Sequence, residues 1–163
     1  MSEFKPLDPT ACGLFLVAAI SFPLALGCLT EEHGAPAELF MLLGALIGLV
    51  ALLAYRAESN FGFTVFLLVG AAVFATGYGL GGWGNIGFAV LFLMTIIWSL
   101  IVKTPKLLTA ILCTTTLIFL LVGLGAVADL DLNMALGIVA LLNGIFCLYL
   151  GFGLVSEGKV KVF

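Results

Sequence analysis

The chain has 163 residues, of which 63% are hydrophobic and 9% are charged, and its formal net charge is −3. Soluble domains carry about 25% charged residues, so this composition excludes an ordinary soluble domain. Its six Lys and Arg residues form no basic patch, so nucleic acid is not an expected partner. The length allows several membrane spans but no separate soluble domain, and residues 1–163 are predicted to form a single membrane domain.

The first predicted helix follows a short polar segment. Asp8-Pro9 is a favourable helix start, because Asp caps free amides and Pro suits the first helical turn. The helix is expected over residues 10–29, with a kink at Pro23. A secretory signal peptide is the alternative for this region. It is disfavoured because Lys5 is the only cation before the apolar run and the acidic residues after that run make a poor cleavage site.

The middle of the chain contains an uncharged stretch from Ser59 to Val102. A membrane-spanning helix needs about 20 apolar residues, so this stretch is long enough for two helices. Its single interruption, Gly79-Leu80-Gly81-Gly82-Trp83-Gly84-Asn85, is rich in residues of low helix propensity. The stretch therefore predicts a transmembrane hairpin whose helices span residues 61–80 and 85–102.

The remaining apolar runs predict three more helices of similar length. Thr104-Pro105 separates the fourth helix from the fifth, and Asp129-Leu130-Asp131 separates the fifth from the sixth. The six predicted helices span residues 10–29, 39–55, 61–80, 85–102, 106–128 and 132–155. The predicted fold class is an all-α integral membrane protein with six transmembrane helices.

The cations indicate the orientation, because they occur only in alternate segments outside the apolar interiors of the predicted helices. They are Lys5, Arg56, Lys103, Lys106, Lys159 and Lys161. Cytoplasmic loops of membrane proteins carry an excess of Lys and Arg. Both termini are therefore predicted to be cytoplasmic, in a multi-pass protein of the cell membrane.

The predicted spans contain one ionisable Asp, Glu, Lys, Arg or His side chain, Lys106, at the first position of the fifth helix. Membrane enzymes and proton relays normally need such a group at membrane depth, so catalysis is not expected. No metal or cofactor is predicted, because the four Cys residues have no ligand spacing. Hydroxyl and amide side chains such as Thr64, Thr115 and Asn143 remain, and these suit a small neutral molecule or a monovalent anion.

A structural role is the alternative for each of these side chains. A buried Ser or Thr more often donates to a carbonyl of its own helix, and Asn143 is as well suited to join helices as to line a pore. Many of the 20 glycines lie within the predicted spans and favour close helix packing. Glycines on facing helices would also leave room for a solute.

Two sequence blocks carry a resemblance to a known family. The first is Asp8-Pro9-Thr10-Ala11-Cys12-Gly13-Leu14, and the second is Asn60-Phe61-Gly62-Phe63-Thr64-Val65-Phe66, followed by Gly70. They resemble the Asn-Pro-x-Pro-x-Gly-Leu and Asn-Thr-Phe-Gly-x-Thr-x-Phe signatures of the acetate uptake transporter family, the succinate–acetate transporters. Asp8 and Ala11 depart from the first signature. The resemblance covers residues 8–155, nearly the whole chain.

The resemblance implies a channel-like pore in each protomer that passes acetate, similar small monocarboxylates or succinate, with proton cotransport as a further expectation. It also implies a homo-oligomer, a hexamer, embedded in the lipid bilayer. A narrow apolar girdle constricts the pore in the family, and the resemblance places this girdle at Val17, Val69 and Thr115. None of these three residues is aromatic, so the constriction expected here is wider, or lies elsewhere.

Ten residues are predicted to form the substrate pathway. Helix N-termini favour anions, so the starts of the first and third helices are included in the predicted pathway. Thr64 is the strongest candidate for a hydrogen bond to the substrate. The ten are Pro9, Thr10, Gly13, Val17, Phe61, Gly62, Thr64, Val69, Thr115 and Asn143. The alternative functions are a channel for a small neutral solute and a non-conducting membrane interaction protein.

Overall fold

The computed structural model describes residues 9–30, 34–156 and 159–160, and these residues form six α-helices. The helices are α1 (Thr10–Thr30), α2 (Ala37–Arg56), α3 (Asn60–Gly77), α4 (Gly82–Ile101), α5 (Lys106–Ala128) and α6 (Asn133–Val155). Each helix is long and apolar enough to cross a membrane. The predicted all-α fold with six spans is confirmed, whereas Asp8, the predicted cap of the first helix, lies outside the described residues.

The turn between α3 and α4 is shorter than the predicted break at residues 79–85. Helix α3 already ends at Gly77, and Gly79 turns the chain with a φ of +81°. Helix α4 begins at Gly82, where a Cβ atom would lie only 3.0 Å from the carbonyl oxygen of Gly123 in α5. This close packing between α4 and α5 overrides the low helix propensity of glycine.

Non-glycine residues in the left-handed conformation close the other short turns. Glu58, Lys103 and Asp129 have φ values of 59°, 54° and 53°. The next residues, Ser59 and Thr104 among them, donate their backbone N–H groups to helix carbonyls five residues back, at 3.0 and 3.1 Å. This is the hydrogen-bond pattern of a Schellman C-cap. It fixes Ser59 and Thr104 immediately before the helices that follow them.

Three helix pairs make up the described bundle: α1 packs on α6, α2 packs on α3, and α4 packs on α5. Glycines allow the backbones to approach closely, since a Cβ atom on Gly44 of α2 would lie 2.8 Å from the carbonyl oxygen of Gly70 in α3. The predicted role of glycines in helix packing is thus confirmed at this crossing. Helices α1, α3 and α5 run in one direction and their partners run in the other. We call the end where α1, α3 and α5 begin the proximal end and the opposite end the distal end.

The outward faces of the helices carry large apolar side chains. Leu49 in α2, Leu93 in α4 and Leu148 in α6 are exposed in the isolated protomer. Apolar faces of this extent need lipid or neighbouring protein around them rather than water. Tyr78 and Trp83 are also exposed, at the distal end, and such aromatic side chains favour the membrane–water interface. The chain is therefore a multi-pass membrane protein.

Candidate functional site

Two cavities lie in series within the described bundle. The proximal cavity has a volume of about 300 Å³ and is lined by the first halves of α1, α3 and α5 and by the end of α6. The distal cavity has a volume of about 270 Å³ and is lined by later parts of α1, α3 and α5, by the first half of α6 and by the start of α4. Both volumes are at the lower limit for small-molecule sites, which suits a solute of a few heavy atoms.

The two cavities meet at Val17 of α1, Val69 of α3 and Thr115 of α5, which line both of them. We call these three residues the junction. All three residues are buried, with exposed fractions of 7%, 6% and 5%. The structure thus brings together the three residues that the family resemblance assigns to a girdle. Two valines and the methyl group of a threonine make the junction largely apolar.

The polar groups of the proximal cavity lie at its mouth. Thr10 is the first residue of α1, Ser59 is the N-cap of α3, and Thr104 lies in the turn before α5. The Ser59 hydroxyl oxygen accepts a hydrogen bond from the Gly62 backbone N–H at 3.1 Å. Deeper in the cavity, Phe66 and its neighbours are apolar. A solute therefore meets hydroxyls first and an apolar wall afterwards.

Three hydroxyl groups join the turn between α4 and α5 to the helices beside it. The Ser99 hydroxyl lies 2.7 Å from the Thr109 hydroxyl and also contacts that of Thr104.

Sequence reasoning missed both Ser59 and Thr104 as lining residues, because it searched within the predicted helices. The available signal was their position as polar residues immediately before the starts of α3 and α5.

Asn143 lies at the centre of a buried hydrogen-bond network beside the distal cavity. Its side-chain Nδ2 donates to the Ser21 hydroxyl oxygen in α1 at 3.1 Å. Its Oδ1 accepts from the hydroxyls of Thr114 and Thr115 in α5, at 2.7 and 3.3 Å. The sequence left open whether Asn143 joins helices or lines a cavity. The structure shows that it does both, because it ties α6 to α1 and α5 and also lines the distal cavity.

Asn85 is a second buried amide in the lining of the distal cavity, and its side chain is 2% exposed. Its Nδ2 donates to the carbonyl oxygens of Leu80 and Gly81 at 3.0 and 3.1 Å. Its Oδ1 has no hydrogen-bond partner among the described residues. Sequence reasoning treated Asn85 only as a helix start. An amide following a glycine-rich turn was the signal that marked it.

Seven of the ten residues predicted for the substrate pathway line the cavities. They are Thr10, Val17, Phe61, Gly62, Val69, Thr115 and Asn143. The remaining three are Pro9, Gly13 and Thr64, which are absent from the lining of both described cavities. The substrate pathway itself stays a prediction.

Each of the three remaining residues has a local structural contact. The Thr64 hydroxyl donates to the Asn60 carbonyl of its own helix at 3.0 Å, so its predicted bond to the substrate stays a prediction without support from the cavities. A Cβ atom on Gly13 would overlap the ring of Phe66, which lines the proximal cavity. The Pro9 carbonyl accepts from the Gly13 backbone N–H at 3.1 Å. Pro9 therefore contributes to the first turn of α1, and Gly13 leaves room for the Phe66 ring.

A vestibule of about 430 Å³ continues from the distal cavity toward the distal end. Leu24 and Phe40 line both spaces, and the vestibule adds Gly27, Gly34 and Asn133 to its wall. The proximal cavity, the junction, the distal cavity and the vestibule thus follow one another from one end of the bundle to the other.

No Asp, Glu, Lys, Arg or His side chain lines these spaces in the described part of the chain. Within the same part, no group of three His, Cys, Asp or Glu residues is placed to hold a metal ion. The available chemistry is hydrogen bonding by hydroxyls and amides between apolar walls. Such a lining can solvate a small molecule, but it offers no side chain that relays protons through an ionisable group.

Comparison with known proteins identifies a shared fold. No protein-family model matches the sequence, and no curated protein sequence matches it. The structure of the bacterial acetate channel SatP superposes with a TM-score of 0.83 at 18% sequence identity. The match covers 96% of this chain and 99% of that one. The two proteins therefore have the same six-helix fold, and the likeness to acetate uptake transporters read from the sequence is supported at the level of the fold.

Proposed function

We propose that the chain is a divergent member of the acetate uptake transporter family and conducts small monocarboxylates, acetate foremost, through the series of cavities in each protomer. The observation that carries this proposal is the meeting of the two cavities at Val17, Val69 and Thr115. The fold shared with the acetate channel SatP supports it. Acetate has four heavy atoms, so it fits either cavity and is small enough to be passed between them.

The proposed mechanism follows from where the polar groups lie. Acetate enters the proximal cavity past the hydroxyls at its mouth and loses water as it reaches the apolar junction. Removing an isolated charge from water is costly unless hydrogen bonds replace the lost solvation. At the junction the Thr115 hydroxyl oxygen is available as an acceptor, because its proton is donated to Asn143, which lines the distal cavity beyond it. The junction therefore favours a solute that is small, has few charges and leaves water readily.

Proton cotransport, where it occurs, uses the carboxyl group of the substrate. The cavity linings of the described residues contain no ionisable acid or base that would carry a proton separately. Succinate belongs to the proposed substrates by family resemblance, and its second carboxylate makes it the harder ion to bring through the junction. Acetate is therefore expected to be conducted faster than succinate.

The proposal includes the membrane arrangement predicted from sequence. The alternating cations favour an orientation with the proximal end and both termini in the cytoplasm, and we assign the chain to the cytoplasmic membrane. By family resemblance the protomers assemble as a hexamer, with one pathway in each. Native mass spectrometry of the protein released from detergent tests the stoichiometry, and cysteine labelling from either side of the membrane tests the orientation.

The test of function is uptake of labelled acetate into liposomes that contain the purified protein, with and without an inward proton gradient. Uptake above that of empty liposomes, reduced by excess propionate, is the expected result. A dependence on the gradient would establish proton cotransport. Protein that inserts and assembles but adds no acetate permeability would overturn the proposal and favour a non-conducting membrane interaction protein.

A channel for a small neutral solute is the second candidate, and the distal cavity is the observation that favours it. The Asn85 Oδ1 beside this cavity is an acceptor without a partner among the described residues, and such an atom attracts a donor rather than an anion. Counterflow distinguishes the two candidates. Preloaded urea that drives uptake of labelled urea, with no effect of acetate, would identify the neutral-solute channel.

A further inference from the structure

The two ends of the Asn85 side-chain amide can be assigned from their surroundings. One end lies 3.0 and 3.1 Å from the carbonyl oxygens of Leu80 and Gly81. Carbonyl oxygens only accept hydrogen bonds, so the amide NH₂ group must face them. The other end is therefore the oxygen, Oδ1, which is buried and has no partner among the described residues. The side chain lines the distal cavity and is 2% exposed.

The hydroxyl groups of the distal cavity have already committed their protons. The Ser21 hydroxyl donates to the Val17 carbonyl at 2.8 Å, and the Thr76 hydroxyl donates to the Ala72 carbonyl at 2.9 Å. The Thr115 hydroxyl donates to the Asn143 side chain, as the network above shows. Hydroxyl oxygens and Asn85 Oδ1 remain as acceptors. Acceptors therefore outnumber donors in the polar lining of this cavity, where the second N–H of the Asn143 amide is the remaining donor among the described side chains.

From this arrangement we infer that the distal cavity binds the solute in a neutral form that donates a hydrogen bond to Asn85 Oδ1, namely the undissociated carboxylic acid. This inference rests on the proposed function, because the acid is the protonated form of the proposed substrate. A carboxylate carries no proton, so beside Oδ1 it would set acceptor against acceptor. The undissociated acid has one O–H donor, which matches the unpartnered acceptor.

The proton balance of this step is simple. The carboxylate takes up one proton from water before it enters the distal cavity, and the acid releases that proton to water after it leaves. No residue of the chain gains or loses a proton. One carboxyl group and one proton therefore cross together, and no net charge moves through the distal cavity.

The first test compares two neutral competitors of labelled acetate uptake in liposomes. Acetamide has N–H donors and resembles the undissociated acid in size and shape, whereas N,N-dimethylformamide is neutral, accepts hydrogen bonds and has no strong donor. Acetamide is expected to inhibit acetate uptake and N,N-dimethylformamide is not. Equal inhibition by both, or by neither while acetate uptake persists, would overturn the inference.

Variants connect this selectivity to Asn85. Asn85→Leu removes the acceptor and is expected to weaken inhibition by acetamide about tenfold, the effect of losing one hydrogen bond of ordinary strength. Thr116→Val is the matched control, because it removes a hydroxyl whose proton is already bound to the Leu112 carbonyl and which lies in a groove between α4 and α5, outside the distal cavity. Its inhibition by acetamide should equal that of the unaltered protein. Equal weakening in both variants would argue against Asn85 as the site.

A spectroscopic measurement on the unaltered protein covers the case in which Asn85→Leu fails to fold. Infrared difference spectra of ¹³C-labelled acetate bound to the protein distinguish the undissociated acid from the carboxylate, which absorb in separate bands. A bound-acid band at a pH where free acetate is almost fully ionised is the expected result. A carboxylate band alone would overturn the inference.

The failure of this inference and the failure of the proposed function give different results. Acetate uptake that persists without acetamide selectivity, and with a carboxylate band alone, would leave monocarboxylate conduction standing and remove the Asn85 site. The absence of protein-dependent acetate uptake would remove the proposed function and this inference together. The rate of acetate uptake under an imposed membrane potential is an independent test, because uptake of the neutral acid should not change with the potential.

Discussion

The proximal and distal cavities are nearly equal in volume, about 300 and 270 Å³, but they hold their polar groups in different places. In the proximal cavity the hydroxyls of Thr10, Ser59 and Thr104 lie at the mouth, in turns and at helix starts. In the distal cavity Asn85 and Asn143 are buried between helices. The arrangement of polar groups, rather than the available space, therefore distinguishes the two cavities.

The largest expected effect comes from closing the space between the two halves. Val69→Trp places an indole at the junction, where little free volume remains, and acetate uptake should fall to the level of empty liposomes. Leu67→Trp is the matched control, because Leu67 lies on the same helix and faces outward. Uptake in this control should be unchanged. Full uptake by the Val69→Trp protein would show that the cavities are not connected through the junction.

The second prediction concerns the buried network of the distal half. Asn143→Leu removes the bonds to Ser21, Thr114 and Thr115. The free energy of unfolding should decrease by about 1–2 kcal/mol, the upper part of the range for interhelical hydrogen bonds in membranes. Thermal unfolding in detergent measures this change.

Asn133→Leu provides the control for that stability measurement. It changes an asparagine of the same helix that is exposed at the distal end. Its unfolding temperature should stay close to that of the unaltered protein. Equal destabilisation by both variants would mean that the network contributes no more than an exposed amide.

The third prediction tests the hydroxyl that lies where the two halves meet. Thr115→Val keeps the shape of the side chain and removes the hydroxyl, and acetate uptake should fall about fivefold, equivalent to about 1 kcal/mol. Thr116→Val is the matched control, since the Thr116 hydroxyl donates to Leu112 at 2.7 Å and lines an apolar groove between α4 and α5 outside the pathway. An equal decrease in both variants would contradict a specific role for Thr115.

The smallest effect on uptake is expected at the proximal mouth. Ser59→Ala removes the N-cap of α3, which should lower the free energy of unfolding by about 1 kcal/mol, while acetate uptake changes by less than about twofold. The reason is that a solute at the mouth still has water around it. A larger loss of uptake in Ser59→Ala than in Thr115→Val would show that the mouth of the proximal cavity limits acetate uptake more than the junction does.

Ser59→Asp separates the two roles of this position. Aspartate is as good an N-cap as serine, so the free energy of unfolding should return to that of the unaltered protein. Its negative charge at the mouth should slow the entry of acetate, and the effect should weaken as salt concentration rises. Uptake that does not respond to salt would place Ser59 away from the entry route.

The fold was largely predictable from sequence, because the membrane requires long apolar helices and because polar, glycine-rich or charged segments separate the apolar runs. The junction came from the resemblance of the first and third helices to a family, rather than from any pattern in Val17, Val69 and Thr115 themselves. The start of α4 was missed because the packing of Gly82 on Gly123 extends the helix beyond what glycine propensity predicts. Such contacts between helices have no signature in a single sequence.

The inward faces of the helices were the least predictable feature. Each helix is apolar on all sides, since lipid and protein interior both favour apolar side chains, so the sequence does not show which hydroxyls point inward. Thr64 was chosen for its place near a helix start, yet its hydroxyl donates to its own helix. Ser59, only five positions earlier, lines the cavity instead. The position of Asn85 after a glycine-rich turn marks it in the sequence, but its unpartnered Oδ1 is visible only in the structure.

The pairing of α1 with α6 has a consequence for how the protein is made. The pairs α2–α3 and α4–α5 join neighbours in sequence, so each can form as soon as its second helix leaves the ribosome. The bond from Asn143 to Ser21 instead joins residues 122 positions apart. Long-range contacts of this kind form late and slow assembly. During synthesis α1 must therefore remain in the membrane without its main partner, and the walls of both cavities are complete only after α6 is inserted.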